Sequence, residues 1–143
     1  GGTAEDISAT IHYGIRSDHD DTRYSQMPAF GKDEMLDRQQ INQVVEYVLK
    51  ISGQEHDEVA ATEGQTIFAE QCSSCHGEKG EGLRDFGAPR LSDAIWLYGG
   101  DRQALRETVT NARFGVMPAW TNRLDEATIK QLAVYVHSLG GGE

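Results

Sequence analysis

Cys72 and Cys75 are the only cysteines in 143 residues, and His76 follows the second directly. A C-x-x-C-H run is the attachment pattern of c-type haem. Two sulfurs on one helical turn can each form a thioether to a porphyrin vinyl group. The next side chain then lies under the iron as its proximal ligand. Downstream, Gly115-Val116-Met117-Pro118-Ala119-Trp120 offers Met117 for the opposite face. His/Met ligation fills both axial positions and raises the reduction potential, which suits an electron carrier. The expectation is one covalent haem c, with His76 and Met117 as metal ligands and no catalytic residues.

Other uses of the two cysteines fit less well. A disulfide framework for a small secreted domain needs more than one pair. A thioredoxin-like C-x-x-C belongs beside a βαβ pattern, which is absent from this sequence. Structural zinc needs four ligands, and His12, His19, His56 and His137 form no H-x(3–5)-H pair. The run Gly77–Gly82 superficially resembles a phosphate loop, but it follows no strand and reads as a turn.

The elements that must position these groups are helical. Amphipathic spacing and stop signals predict helices near 4–13, 37–51, 63–75, 101–112 and 125–139, joined by Gly- and Pro-containing loops. No segment alternates convincingly as a strand. Thr62 followed by Gln65 reads as a capping box at the start of the helix that leads to the cysteines.

The same module occurs about one and a half times. Ile129, Leu132, Ala133, Tyr135, Val136, Leu139 and Gly141 stand 88 positions after Ile41, Val44, Val45, Tyr47, Val48, Ile51 and Gly53. Each set follows helical spacing and ends in Gly. Met27-Pro28-Ala29-Phe30 precedes the first helix as Met117-Pro118-Ala119-Trp120 precedes the second. Ahead of these, Gly1-Gly2 with Ile7 and Ile11 answers to Gly99-Gly100 with Leu105 and Val109. The first copy has no C-x-x-C-H. The expected organisation is residues 1–53 as the C-terminal half of a module, 54–61 as a linker, and 62–143 as a complete mono-haem domain. A half module cannot bury enough apolar surface to offset chain entropy, so 1–53 is expected to be poorly stabilised alone.

Composition narrows the function classes. The net charge is −10, with a sequence pI of about 4.9. No basic stripe is present to meet phosphates, which argues against a nucleic-acid partner. A negative field could steer a basic redox partner, though ordinary solubility explains the charge equally well. No apolar run approaches the ~20 residues of a membrane span. Without a signal peptide, the chain reads as mature or excised.

At this point a resemblance becomes specific. Residues 62–143 resemble a class I cytochrome c domain, an all-α fold. The whole chain, through Trp96-Leu97-Tyr98-Gly99-Gly100, Gly115–Trp120 and Val136-His137-Ser138-Leu139-Gly140-Gly141, resembles the dihaem subunit III of cbb3-type cytochrome c oxidases. In that family two cytochrome c domains follow a membrane anchor on the bacterial periplasmic face. They pass electrons from a soluble cytochrome towards the catalytic subunit of a terminal oxidase. The resemblance implies a fragment lacking the anchor and the first haem-attachment motif, an electron-transfer part and not an enzyme by itself.

The resemblance also implies roles for single residues. The carbonyl of Pro89 would accept from the outer ring nitrogen of His76; otherwise Pro89 is a loop proline that fixes φ. Arg113, Trp96, Tyr98 and Trp120 would reach haem propionates or pack on the ring, or else serve as ordinary core and surface. Gly64, Phe68 and Tyr135 match the crossing of first and last helices. Met27 matches a distal ligand whose haem this chain does not attach, and packing is its simpler role. Two further functions stay open: the haem subunit of another periplasmic redox enzyme such as a dehydrogenase, and a ligand-binding or peroxidase-like haem domain.

Overall fold

The structure, a computed structural model, describes residues 2–140, so Gly1 and Gly141 of the repeat comparison lie outside the described residues. The chain is all-α: α1 (Ala4–Tyr13), α2 (Arg38–Ile51), α3 (Glu58–Gln71), α4 (Ser73–His76), α5 (Arg102–Asn111) and α6 (Glu126–Ser138), with a 3₁₀ turn at Arg84–Phe86. Among the described residues β pairing is limited to isolated bridges. Short polar side chains start the helices by accepting first-turn N–H groups. Thr3 and Asp37 form capping boxes with Asp6 and Gln40, and Asp101 and Asp125 cap α5 and α6.

The helix before the cysteines starts earlier than its sequence signal. Asp57 is the N-cap of α3, accepting from the N–H groups of Val59 and Ala60. Thr62 lies inside the helix, and its hydroxyl donates to the Glu58 carbonyl. Residues 58–61 are therefore helix and not linker. An Asp one residue before a helix-compatible run outcompetes the Thr-Gln box because it satisfies two orphan N–H groups at once.

The chain divides into two compact units, which do not follow the expected boundaries. One comprises Gly1–Gln26 with Phe114–Glu143, and the other Met27–Arg113. In the second unit α2 packs along α3 and also meets α5. Phe30, Leu36, Ile41, Val44, Val45, Tyr47, Val48, Leu49, Phe68 and Leu105 form its core. In the first unit α1 packs on α6 through Ile11, Ile129 and Ala133, with Ile7, Met117, Trp120 and Leu124 around them.

The division at residues 54–61 fails because α2 and α6 carry the same apolar pattern, and α3 takes the nearer one. Only residues 52–57 separate α2 from α3, whereas more than fifty lie between α3 and α6, and loop-closure cost rises with length. Glu46 of α2 adds a specific tie. It is buried, 7% exposed, and accepts from the Asp57 N–H at 2.8 Å and from the Arg102 guanidinium of α5. One carboxylate thereby joins three helices. Tyr135, expected at the helix crossing, is 61% exposed; Tyr47 occupies that position against Phe68.

Candidate haem site

The site begins where α3 ends. Cys72 caps α3, its N–H donating to Phe68 O at 2.9 Å. A single turn, α4, then carries Cys75 and His76, whose N–H groups both return to the Cys72 carbonyl. This puts two sulfurs and an imidazole on consecutive faces of one short helix. Both cysteines are free thiols and half-buried. Burial, with a smaller contribution from Cys75, pushes the Cys72 thiol up to about 11. At neutral pH it is a protonated thiol, poorly able to close a disulfide by thiolate attack.

His76 is buried, and its Nδ1 lies 2.9 Å from the carbonyl oxygen of Pro89. A carbonyl can only accept, so Nδ1 carries the proton and Nε2 holds a lone pair. Burial lowers the His76 pKa, and the Pro89 hydrogen bond opposes it. The ring is held neutral in the one tautomer that can ligate iron through Nε2. The loop between the two residues is built from left-handed turns: Gly77, Gly80 and Gly82 have φ of 81°, 70° and 80°. The Gly82 N–H donates to His76 O at 2.7 Å, and Leu91 N–H to Gly80 O at 2.7 Å, which brings Pro89 back over the imidazole.

The other residues singled out in sequence are distributed between the units. Trp96 and Tyr98 share the unit of the cysteines. Trp96 is half-buried against the core, and Gly100 makes room for it, since a Cβ there would lie 2.2 Å from the indole. Tyr98 lies beneath the Arg113 guanidinium, 5.2 Å from ring centroid to Cζ. Arg113 donates to Ala104 O, to Tyr98 O and to the Thr108 hydroxyl, so it folds back along α5 and ties the helix to the loop before it. Those bonds engage Nε and one terminal nitrogen, and the other terminal nitrogen lies 3.7 Å from the Glu107 carboxylate.

Met117 and Trp120 belong to the other unit. Met117 is paired with Ile15 through both backbone groups at 3.0 Å, and its side chain packs with Ile11, Ile129 and Ala133. Trp120 packs in the same cluster, under Arg123. Met27 lies in the unit of the cysteines instead, packed on the same core cluster as Cys72. Sequence reasoning passed over Glu46, and it read Gly100 as part of a Gly-Gly motif without its packing role against Trp96.

The donor set fits a c-type haem: two free thiols on one turn, followed by an imidazole whose tautomer is locked with Nε2 available. Comparison with known proteins agrees in kind. Residues 59–136 match the protein-family model described as cytochrome C oxidase, cbb3-type, subunit III. The chain is 63% identical over 144 residues to the Cbb3-type cytochrome c oxidase subunit CcoP of Cereibacter sphaeroides, covering 100% of this chain and 50% of that protein. It is 54% identical over 151 residues to the subunit CcoP of Azospirillum sp., covering 100% and 51%. Against the subunit FixP of Bradyrhizobium sp. it is 53% identical over 147 residues, covering 100% and 50%. The chain thus spans about half the length of these curated relatives.

Proposed function

The chain belongs to the subunit III family of cbb3-type cytochrome c oxidases, and from that premise we propose that it is an electron-transfer module carrying one covalent haem c. When bound, the haem supplies a one-electron iron couple. Cys72 and Cys75 would hold it by thioethers, with His76 as the proximal ligand and a methionine sulfur on the other face. The observation that carries this reading is the 2.9 Å contact between His76 Nδ1 and the Pro89 carbonyl, which fixes the ring and raises its ligand strength.

The protein's own part is to bind, orient and stay rigid. The Gly80–Leu91 backbone bond keeps Pro89 in place, so His76 need not reorient between redox states. Burial of His76 removes water that would otherwise compete for its ring. Pro28 and Pro118, each following a methionine, restrict the backbone beside a candidate sulfur ligand.

The proposed partners are the other subunits of a terminal oxidase and a soluble cytochrome c-type donor, at the periplasmic face of a bacterial inner membrane. The net charge of −10 supports a basic donor. No helix among the described residues is long and apolar enough to cross a membrane, so none of them acts as the anchor.

An absorption spectrum of the reduced chain, with and without carbon monoxide, together with haem quantification, tests the reading. One c-type haem per chain and no carbon monoxide shift is the expected result. A carbon monoxide shift in the unmodified chain would instead favour a ligand-binding haem domain.

A further inference from the structure

We propose that Gly82 is a positioning residue for the iron couple: its missing side chain lets the Pro89 carbonyl accept from His76 Nδ1, and this sets the reduction potential. The assignment rests on the haem-carrier reading above. It gives a glycine that touches no iron control over the driving force for electron transfer.

The segment from His76 to Leu91 folds back on itself. Leu83 and Ala88 pair as an antiparallel bridge, with the Ala88 N–H donating to Leu83 O at 3.2 Å. One position further from the turn, Gly82 comes against Pro89. A Cβ on Gly82 would lie 2.8 Å from Arg90 N, 2.9 Å from Ala88 O and 3.0 Å from the Pro89 carbonyl carbon. All three are backbone atoms, which cannot swing aside as the end of a flexible side chain can. The same residue also holds the imidazole side of the contact, because its N–H donates to His76 O at 2.7 Å. Gly82 therefore touches both partners of the 2.9 Å bond between His76 Nδ1 and Pro89 O, one through its N–H and the other through its absent Cβ.

Pro89 has little freedom to retreat without changing that bond. Ala88 before it is held by Leu83 O, and Leu91 after it donates to Gly80 O at 2.7 Å. Gly80 is seated in turn against α2, where a Cβ would stand 2.6 Å from Ile51 Cδ1. A side chain at position 82 therefore acts on the distance between Pro89 O and His76 Nδ1. That bond matters because a carbonyl accepting from Nδ1–H makes Nε2 a stronger donor. A stronger donor favours ferric over ferrous iron, which carries less positive charge, so lengthening the bond raises the potential. Left-handed backbone is a separate cost of any side chain here, since Gly82 has φ of 80°. Gly53, with φ of 75° and nothing within 4 Å of a Cβ, shares that cost without the contact.

The test compares Gly82→Ala with Gly53→Ala in the full haem-bearing chain. The readouts are the reduction potential and, in the reduced form, the His76 Nδ1–H proton resonance and its exchange with solvent. G82A is expected to move to higher potential, with a shifted and faster-exchanging Nδ1–H. G53A carries the same backbone strain and is expected to keep the potential and proton signal of the unmodified chain. An unchanged potential and Nδ1–H in G82A, or an equal change in G53A, would overturn the assignment alone. Because G82A could fail to fold or to attach haem, the unmodified chain provides a second measurement. One opening of the loop should expose the Gly82 amide and the His76 Nδ1–H together, so the two should show the same protection against exchange. Free exchange at Nδ1 beside a protected Gly82 amide would also sink the assignment. An unmodified chain that attaches no haem would overturn the carrier reading and this assignment together.

Discussion

The ring of Tyr47 lies against that of Phe68, with centroids 5.1 Å apart and planes inclined at 51°. Tyr47 is 8% exposed and Phe68 is 1% exposed. Tyr135, the repeat counterpart of Tyr47, has an identical place in its own helix and stands largely in solvent. The same side chain thus has two energetic roles, set by which helix reaches α3.

That contrast predicts unequal responses to truncation. Tyr47→Ala should destabilise the chain by about 3 kcal/mol, the usual cost of removing a buried aromatic ring. Tyr135→Ala should change stability by less than about 0.5 kcal/mol, as for an exposed site. Urea unfolding followed by helical circular dichroism measures both. Equal losses, or a larger one at Tyr135, would mean that α6 and not α2 covers α3.

Gly64 offers a sharper probe of the same interface. Any Cβ there meets the Gln43 backbone, which cannot move aside as a flexible side chain can. Gly64→Ala removes a helix-interior glycine, a change otherwise worth roughly 0.5–1 kcal/mol in favour of the helix. The overlap with Gln43 must dominate, so the variant is expected to be less stable than the parent. A more stable Gly64→Ala chain would show that α2 and α3 do not approach at this point.

Much of this architecture is legible in the sequence. The helices are, because Ile41 to Ile51 and Ile129 to Leu139 keep strict spacing, and the structure adds Asp37, Asp101 and Asp125 as the caps at their starts. The proposed attachment residues can be read there too, since Cys72, Cys75 and His76 stand within five positions and the proposal needs no tertiary information. The pairing of helices is not. Periodicity says that Tyr47 and Tyr135 lie on apolar faces, but not which helix each face covers. That choice depends on a short connection and on Glu46 reaching the Asp57 N–H, neither of which has a motif. Arg113 is similar: its partners, Ala104 O and Tyr98 O, are brought together only by the first turn of α5 and the loop before it.

Glu46 also sets a pH dependence. The hydrogen bond from Arg102 is the largest influence and holds its carboxyl below the ordinary value of 4.5, aided by the Asp57 N–H and opposed by burial. A depressed carboxylate contributes stability that is present above 4.5 and is lost as pH falls through its lower, folded value. Glu46→Gln can still bond the Asp57 N–H but loses the charge pairing with Arg102. Because Arg102 is half in solvent, its loss should cost about 1 kcal/mol at pH 7. The gap between parent and variant should narrow as pH falls below 4.5 and the Glu46 carboxylate takes up its proton. A gap that persists into acid would assign the effect to shape and not to charge.

The final prediction concerns Cys72 in the haem-free chain. Its thiol titrates near 11 because the end of α3 buries it, while the ordinary value is 9.0. The thiolate is the reactive form, so alkylation at Cys72 should rise about tenfold per pH unit from pH 7 to pH 10, without levelling near 9. The accompanying stability has a definite sign. A thiol favoured in its neutral form when folded contributes stability below pH 9, and this is lost as pH rises towards 11. Site-resolved mass spectrometry after timed iodoacetamide treatment measures the first effect, and unfolding between pH 8 and 11 the second. A rate at Cys72 that levels off near pH 9 would mean that the thiol is open to water, and that α3 does not shelter the first attachment sulfur.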